Sequence, residues 1–273
     1  MLQKFKLELE DSGTLLFDIE KQFYRHFLAL QRSSTTDIFN QNHLSKQTNK
    51  YDILEQYIAF EERPSSVEAK AGDTVTLKCS ASGNPPPNIF WLFNNKPYEE
   101  LEDDEDLLED ELNEGKFVVG ETLTSSKLVI DCIQSRNAGS YACVAYNQKQ
   151  RIVSEVEVTV YRGHQCNKKL SYAPRISVWT SERMENCYLA VQLYCRTSYN
   201  TVETRIQWHH YNGSELSDRL YKVLENGDLF IPVVLPEMLG SYICVATNSY
   251  GEDQITTSFI PLEPEDGTKT NIV

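Results

Sequence analysis

Gly240-Ser241-Tyr242-Ile243-Cys244-Val245-Ala246-Thr247-Asn248-Ser249-Tyr250-Gly251 is the stretch that decides the fold, because most of it occurs twice. The upstream copy reads Gly139-Ser140-Tyr141-Ala142-Cys143-Val144-Ala145-Tyr146-Asn147. In both, Tyr and Cys stand two residues apart, so on a strand they point to the same face. Each copy has matching partners upstream. Cys79 is followed 12 residues later by Trp91 and then by Cys143; Cys195 is followed 13 residues later by Trp208 and then by Cys244. Two such series in register define two β-sandwiches in tandem. One is pinned by Cys79–Cys143 with Trp91 and Tyr141 in its core, the other by Cys195–Cys244 with Trp208 and Tyr242.

An indole between two cysteines, with a tyrosine two residues before the second, is the immunoglobulin pattern. The fold class that follows is all-β: two tandem immunoglobulin-like sandwiches of intermediate or constant type, preceded by a non-immunoglobulin segment. A length of 273 residues accommodates both cores. The expected boundaries are 1–60 for the N-terminal segment, 63–161 and 175–262 for the two domains, 162–174 for the linker and 263–273 for a polar tail. In the first segment Leu15, Leu16, Ile19, Phe23, Phe27 and Leu30 recur at helical spacing. They predict an amphipathic helix over 12–31, packed on a domain or docking a partner.

Alternation places the strands. In the first domain, B covers 75–79 and C covers 89–93 around Trp91. A stretch at 116–123 follows, then E at 126–132, F at 140–147 and G at 151–160. In the second domain, A covers 175–180, B 189–196, C 204–210, F 241–247 and G 253–260. Asn226-Gly227 reads as a hairpin turn joining 220–223 to 228–231, because glycine accepts positive φ freely. The interval from Trp208 to that hairpin is too short for two extra strands, which favours a compact constant or intermediate-type sandwich over a variable-type one.

Charge and motifs exclude other classes. A net charge of −14 argues against nucleic-acid binding. The excess is concentrated: 11 acidic residues and no basic one lie between Glu99 and Glu114. Such a run reads as a solvated insert or a contact for a basic partner. No apolar run is long enough for a transmembrane helix. His209 and His210 are adjacent on a strand, face opposite sides and cannot chelate one metal together. No zinc, nucleophile-elbow or phosphate-loop motif occurs. We therefore expect no enzyme activity, no cofactor and no metal.

Three of the seven cysteines lie outside the core pairs: Cys132, Cys166 and Cys187. Strand E ends at the pole where G also ends, which brings Cys132 and Cys166 within disulfide reach. The topology predicts a Cys132–Cys166 bridge and a free Cys187, with three reduced thiols as the alternative. Asn212-Gly213-Ser214 is an N-glycosylation sequon in a loop. Paired cysteines imply an oxidising compartment. The start Met1-Leu2-Gln3-Lys4-Phe5-Lys6, by contrast, does not read as a secretory leader. Alternation also assigns a candidate binding face. Phe90 and Leu92 on C, with Val144 and Tyr146 on F, point outward and form an apolar patch beside the acidic insert. The rival reading is that other parts of the chain cover it.

With both domains placed, the chain resembles the zwei-Ig family of secreted two-immunoglobulin-domain proteins. It is similar also to insect imaginal morphogenesis, insulin-peptide-binding proteins. The likeness is carried by Ala173-Pro174-Arg175-Ile176, Tyr221 to Leu229, Gly240 to Gly251 and Phe259-Ile260-Pro261, and by Leu128 to Cys132 in the first domain. Where an Asp usually stands four residues before the strand-F Tyr, this chain has Asn137 and Met238. The loss of a side-chain acceptor at Met238 predicts a weaker tyrosine corner there. The resemblance implies a secreted binding protein acting in neuronal or axon maintenance, in cell–cell recognition, or by sequestering insulin-like peptides. Its partner would be a cell-surface protein or an insulin-like peptide. The alternative is an intracellular, muscle-type structural protein, which seven free thiols would mark.

Overall fold

Runs of Val, Ile, Thr and Tyr at every second position build the strands, and Gly, Asn and Pro punctuate them. The computed structural model describes residues 56–98, 108–116, 118–164, 173–198 and 202–263. The first sandwich consists of β1 (Tyr57–Glu62), β2 (Val67–Lys70), β3 (Val75–Asn84), β4 (Asn88–Phe93), β5 (Lys96–Pro97), the helix α1 (Leu108–Leu112), β6 (Glu121–Ile130), β7 (Gly139–Tyr146) and β8 (Arg151–Tyr161). The second consists of β9 (Ile176–Asn186), β10 (Val191–Leu193), β11 (Cys195–Thr197), β12 (Arg205–His210), β13 (Lys222–Val223), β14 (Leu229–Ile231), β15 (Gly240–Asn248) and β16 (Gly251–Leu262). The helix expected over 12–31, the polar tail and most of the linker lie outside the described residues.

Both cores follow the duplicated series. Cys79 and Cys143 are joined with Cα atoms 6.5 Å apart, and Cys195 and Cys244 at 6.6 Å. Trp91 Nε1 donates to Ser126 Oγ at 2.9 Å, and Trp208 Nε1 to the Gly227 carbonyl at 2.9 Å. The two tyrosine corners are equivalent. Tyr141 donates its hydroxyl hydrogen to the carbonyl of Asn137, and Tyr242 to that of Met238, each at 2.8 Å. The weakening expected at Met238 does not occur, because the acceptor is the backbone and every residue type supplies it.

The sheets depart from two independent sandwiches. β2-β8-β7-β4-β5 forms one back sheet and β10-β14-β13 another. The remaining strands form a single eight-stranded sheet in the order β1-β3-β6-β9-β16-β15-β12, with β11 on β9. β6 of the first domain and β9 of the second pair antiparallel, from Glu121↔Met184 to Ser126↔Val178. Register shows that the fusion keeps one face inside. Ile58, Gly83, Thr122, Arg183 and Phe259 lie directly across one another on five successive strands, and all five are buried. One residue away, Ala59, Ser82, Leu123, Glu182, Ser258 and Ser241 form the row on the opposite face, and none is buried. Paired residues share a face, so both back sheets stack on the same side of the common sheet.

Three strand expectations are corrected. The expected break between 123 and 126 does not exist: β6 is one strand of 10 residues. Its inward residues Thr122, Thr124 and Ser126 are polar, which hid the alternation. Thr124 Oγ1 donates to the Pro87 carbonyl at 2.7 Å, so its hydroxyl is satisfied inside. The first domain starts before residue 63, since Tyr57–Glu62 pairs with β3. β9 extends to Asn186 because its later residues pair in parallel with β16.

The hairpin at Asn226-Gly227 joins β13 to β14 as read from the sequence, with Val223 opposite Leu229. Gly227 has φ 95°, and a Cβ there would stand 2.5 Å from the Cys195 carbonyl oxygen. We therefore expect Gly227→Ala to lower stability by about 1–3 kcal/mol, through left-handed strain and that clash. Urea unfolding measures it.

Candidate functional site: the fused sheet and its interdomain seam

The seam begins with a vacancy created by topology. The first half of β9 pairs with β11 and the second half with β16, both in the common sheet, while β10 lies in the back sheet with β14 on one side. Val191 and Leu193 sit opposite Ile231 and Leu229 of β14. The backbone groups of Ala190 and Gln192 therefore point to the other edge of β10. The first domain fills that edge. Ala190 N–H donates to Asn113 Oδ1 at 2.9 Å, and Asn113 Nδ2 donates to the Ala190 carbonyl at 2.8 Å, so one side-chain amide does the work of a neighbouring strand. Gln192 N–H donates to Glu109 Oε2 at 2.5 Å. The end of the acidic run is thus a structural contact with the second domain.

A buried charge cluster lies behind these bonds. Arg183 is 1% exposed and Glu185 0%. Arg183 Nη2 is 2.9 Å from Glu185 and 3.4 Å from Glu109, while Nη1 donates to Thr122 Oγ1 at 2.9 Å. Glu185 accepts N–H bonds from Val119 at 2.8 Å and Gly120 at 2.9 Å, which ties β9 to the start of β6. Burial pushes the Glu109 carboxyl up to about 7, against the pull of Arg183 and the Gln192 N–H, with Glu185 and Asp110 adding to the rise. Burial opposes the Arg183 cation, yet Glu109 and Glu185 together raise its pKa. Glu185, the closer partner, leaves Glu109 the less compensated acid.

Further contacts clamp the domains. Lys127 pairs with Asp253 at 2.7 Å, Arg175 with Asp131 at 2.5 Å, and the hydroxyls of Ser125 and Ser181 are 2.7 Å apart. Asp228, 0% exposed, pairs with Arg196 at 2.8 Å, and Arg196 Nη1 donates to Asn88 of β4 at 3.2 Å.

That last contact bears on the patch read from the sequence. Phe90, Leu92 and Tyr146 are half-buried and Val144 has no exposed surface. Phe90 and Tyr146 meet edge to face at 5.6 Å, and the Arg151 guanidinium stands 5.8 Å from the Phe90 ring. Arg196 of the second domain closes the Asn88 end of the face. A second surface is more open. On the outer face of the common sheet Leu123, Met184, Ile243, Val245 and Ile260 are half-buried, beside exposed Lys78, Arg205 and Gln207. Sequence reading missed this surface because it exists only once β6 and β9 pair.

Cys132 is disulfide-bonded; the partner expected for it, Cys166, lies outside the described residues. Cys187 is free and buried. Asn212 is exposed in the turn after β12, its Oδ1 accepting the Ser214 N–H at 2.9 Å. No helix among the described residues is long and apolar enough to cross a membrane.

These features define a two-domain immunoglobulin protein whose sandwiches share one sheet. Residues 58–160 match the immunoglobulin I-set domain. Zwei Ig domain protein zig-4 of Caenorhabditis elegans is 33% identical over 196 residues, 70% of this chain and 74% of that protein. Zig-2 of the same organism is 31% identical over 209 residues, 75% of this chain and 85% of that protein. The chain belongs to the zwei-Ig family. Neural/ectodermal development factor IMP-L2 of Drosophila melanogaster is 26% identical over 209 residues, 74% of this chain and 76% of that protein. The crystal structure of IMP-L2 has the same fold, with a TM-score of 0.60 at 24% identity, covering 77% of this chain and 97% of that chain.

Arg183→Met strands two buried carboxylates and should cost about 3–5 kcal/mol. Adding Glu185→Gln should recover part of that loss. Denaturant unfolding of both variants tests the cluster.

Proposed function

We propose that this chain is a secreted binding protein that holds a protein or peptide ligand on the outer face of its common sheet and performs no reaction. One observation carries the reading: the row Ala59–Ser82–Leu123–Glu182–Ser258–Ser241 spans both domains and none of its residues is buried. Leu123, Met184, Ile243, Val245 and Ile260 place an apolar band on that face, with charged and polar side chains beside it. An apolar centre with a polar rim is the make-up of a recognition surface. The β6–β9 pairing fixes the two halves relative to each other, so a ligand ordered against both meets a preorganised surface. Core disulfides and the exposed sequon at Asn212 support secretion.

The biological setting is neuronal or axon maintenance and cell–cell recognition. Two relatives support it by name: the neural/ectodermal development factor and the neuronal cell adhesion molecule of Rattus norvegicus. The latter is 26% identical over 273 residues, 20% of that larger protein. Within this setting the favoured ligand is an insulin-like peptide, the class that the family resemblance implies. Of the two candidate faces we favour the common sheet over Phe90, Leu92, Val144 and Tyr146, because Val144 is buried and Arg196 closes one end of that patch.

Ile243→Glu combined with Ile260→Glu should weaken ligand binding about tenfold or more. Its stability cost should stay near 1 kcal/mol, since both positions are half-buried. Phe90→Glu should leave affinity unchanged. Titration of protein secreted from animal cells with insulin-like peptides checks this, and no binding at micromolar concentration would remove the peptide-sequestering role. Mass spectrometry of the same material should show a glycan on Asn212 and paired cysteines; seven free thiols would refute secretion.

A further inference from the structure

The hold of α1 on the second domain is polar and imperfectly matched. Leu108 and Leu112 of the helix are 38% and 49% exposed, so apolar burial does little to keep it docked. Docking relies on the Asn113 amide across Ala190 and on an oxygen of the Glu109 carboxyl accepting the Gln192 N–H. Glu109 faces Arg183 and Glu185 of β9 and the Tyr194 phenol, with Asp110 beside it on the helix. Two carboxylates compete for one guanidinium there. Around them Arg183 Nε, Gln192 Oε1 and the Tyr194 hydroxyl are buried without a hydrogen-bond partner among the described residues. A half-satisfied buried network is weaker than its contact list suggests.

We propose that α1 is a proton-controlled latch between the two domains: it closes the free edge of β10 while Glu109 is neutral and loosens when Glu109 ionises, with the β6–β9 pairing left intact. The sign follows from linkage. The docked Glu109 carboxyl sits at about 7, above its ordinary 4.5, so docking is strongest below the lower value and is lost as pH rises through the higher one. The docked-to-open ratio falls about tenfold between pH 6 and pH 8. Opening exposes the backbone groups of Ala190 and Gln192, the kind of unpaired edge to which extended segments add.

Hydrogen exchange of the full chain between pH 5.5 and 8.5, corrected for the intrinsic dependence of exchange on pH, tests the latch at the amides of Ala190 and Gln192. Protection there should fall about tenfold from pH 6 to pH 8. In Glu109→Gln, which keeps the shape and removes the titration, it should not change with pH. The Cys244 and Ile255 amides, in the β15–β16 ladder, should be flat in both proteins. Protection at Ala190 and Gln192 that does not vary with pH in the natural protein would overturn the proposal whether or not the variant folds. A slope shared by both proteins would also overturn it.

Discussion

Antiparallel pairing of β6 with β9 is the interaction on which the rest of the molecule depends. Each sandwich alone would leave an edge with unpaired N–H and C=O groups. Among the described residues no strand stands between β5 and β6, so the outer edge of β6 has no partner from its own domain. β9 takes that place from the second domain, from Glu121↔Met184 to Ser126↔Val178, with a bulge at Ser181 between Leu123↔Glu182 and Thr124↔Thr180. Two liabilities cancel, and the chain gains a rigid relation between its halves that a flexible linker could not impose. Backbone bonds of this kind carry no sequence information. The register is written in side chains: Glu185 accepting from Val119 and Gly120, Lys127 reaching Asp253, and Ser125 against Ser181.

From that pairing the two faces acquire different roles. One face lies under both back sheets and carries the buried row through Thr122, Arg183 and Phe259. The other stays toward solvent across both domains. Arg196, on β11 of the second domain, also reaches Asn88 on the back sheet of the first. Packing therefore removes part of the first domain's C–F face from use and creates a wider surface elsewhere. A tandem of freely linked domains would do the opposite and keep each face separately available.

The duplicated series from Cys to Trp to Tyr-x-Cys was fully legible, because cystine, indole and tyrosine corner are side-chain features with fixed spacing. The Asn226-Gly227 hairpin was legible for the same reason, since few residue types fit its conformation. The sheet fusion was not. It forms through main chain, and the inward hydroxyls of Thr122, Thr124 and Ser126 disguise β6 as a broken strand. Nor was the fate of Glu109 visible, since nothing local separates it from its acidic neighbours and its partner Arg183 is 74 residues away. The expectation at Met238 failed differently: the pattern of side chains changed while the backbone carbonyl that accepts the bond did not.

The buried charges make most sense as devices for register. A buried ion pair seldom stabilises more than a hydrophobic set of the same volume would. What Arg183 adds is discrimination. Slide β9 one residue along β6 and every side chain changes face. Arg183 and Glu185 would then point to the outer surface, away from Thr122 and the N–H groups of Val119 and Gly120. Glu182 and Met184 would enter the interior in their place, and Glu182 would bury a carboxylate without a partner. A row of leucines would tolerate that slip far better. The cluster thus holds the two immunoglobulin domains in the single alignment that creates the common sheet and, with it, the surface that spans them.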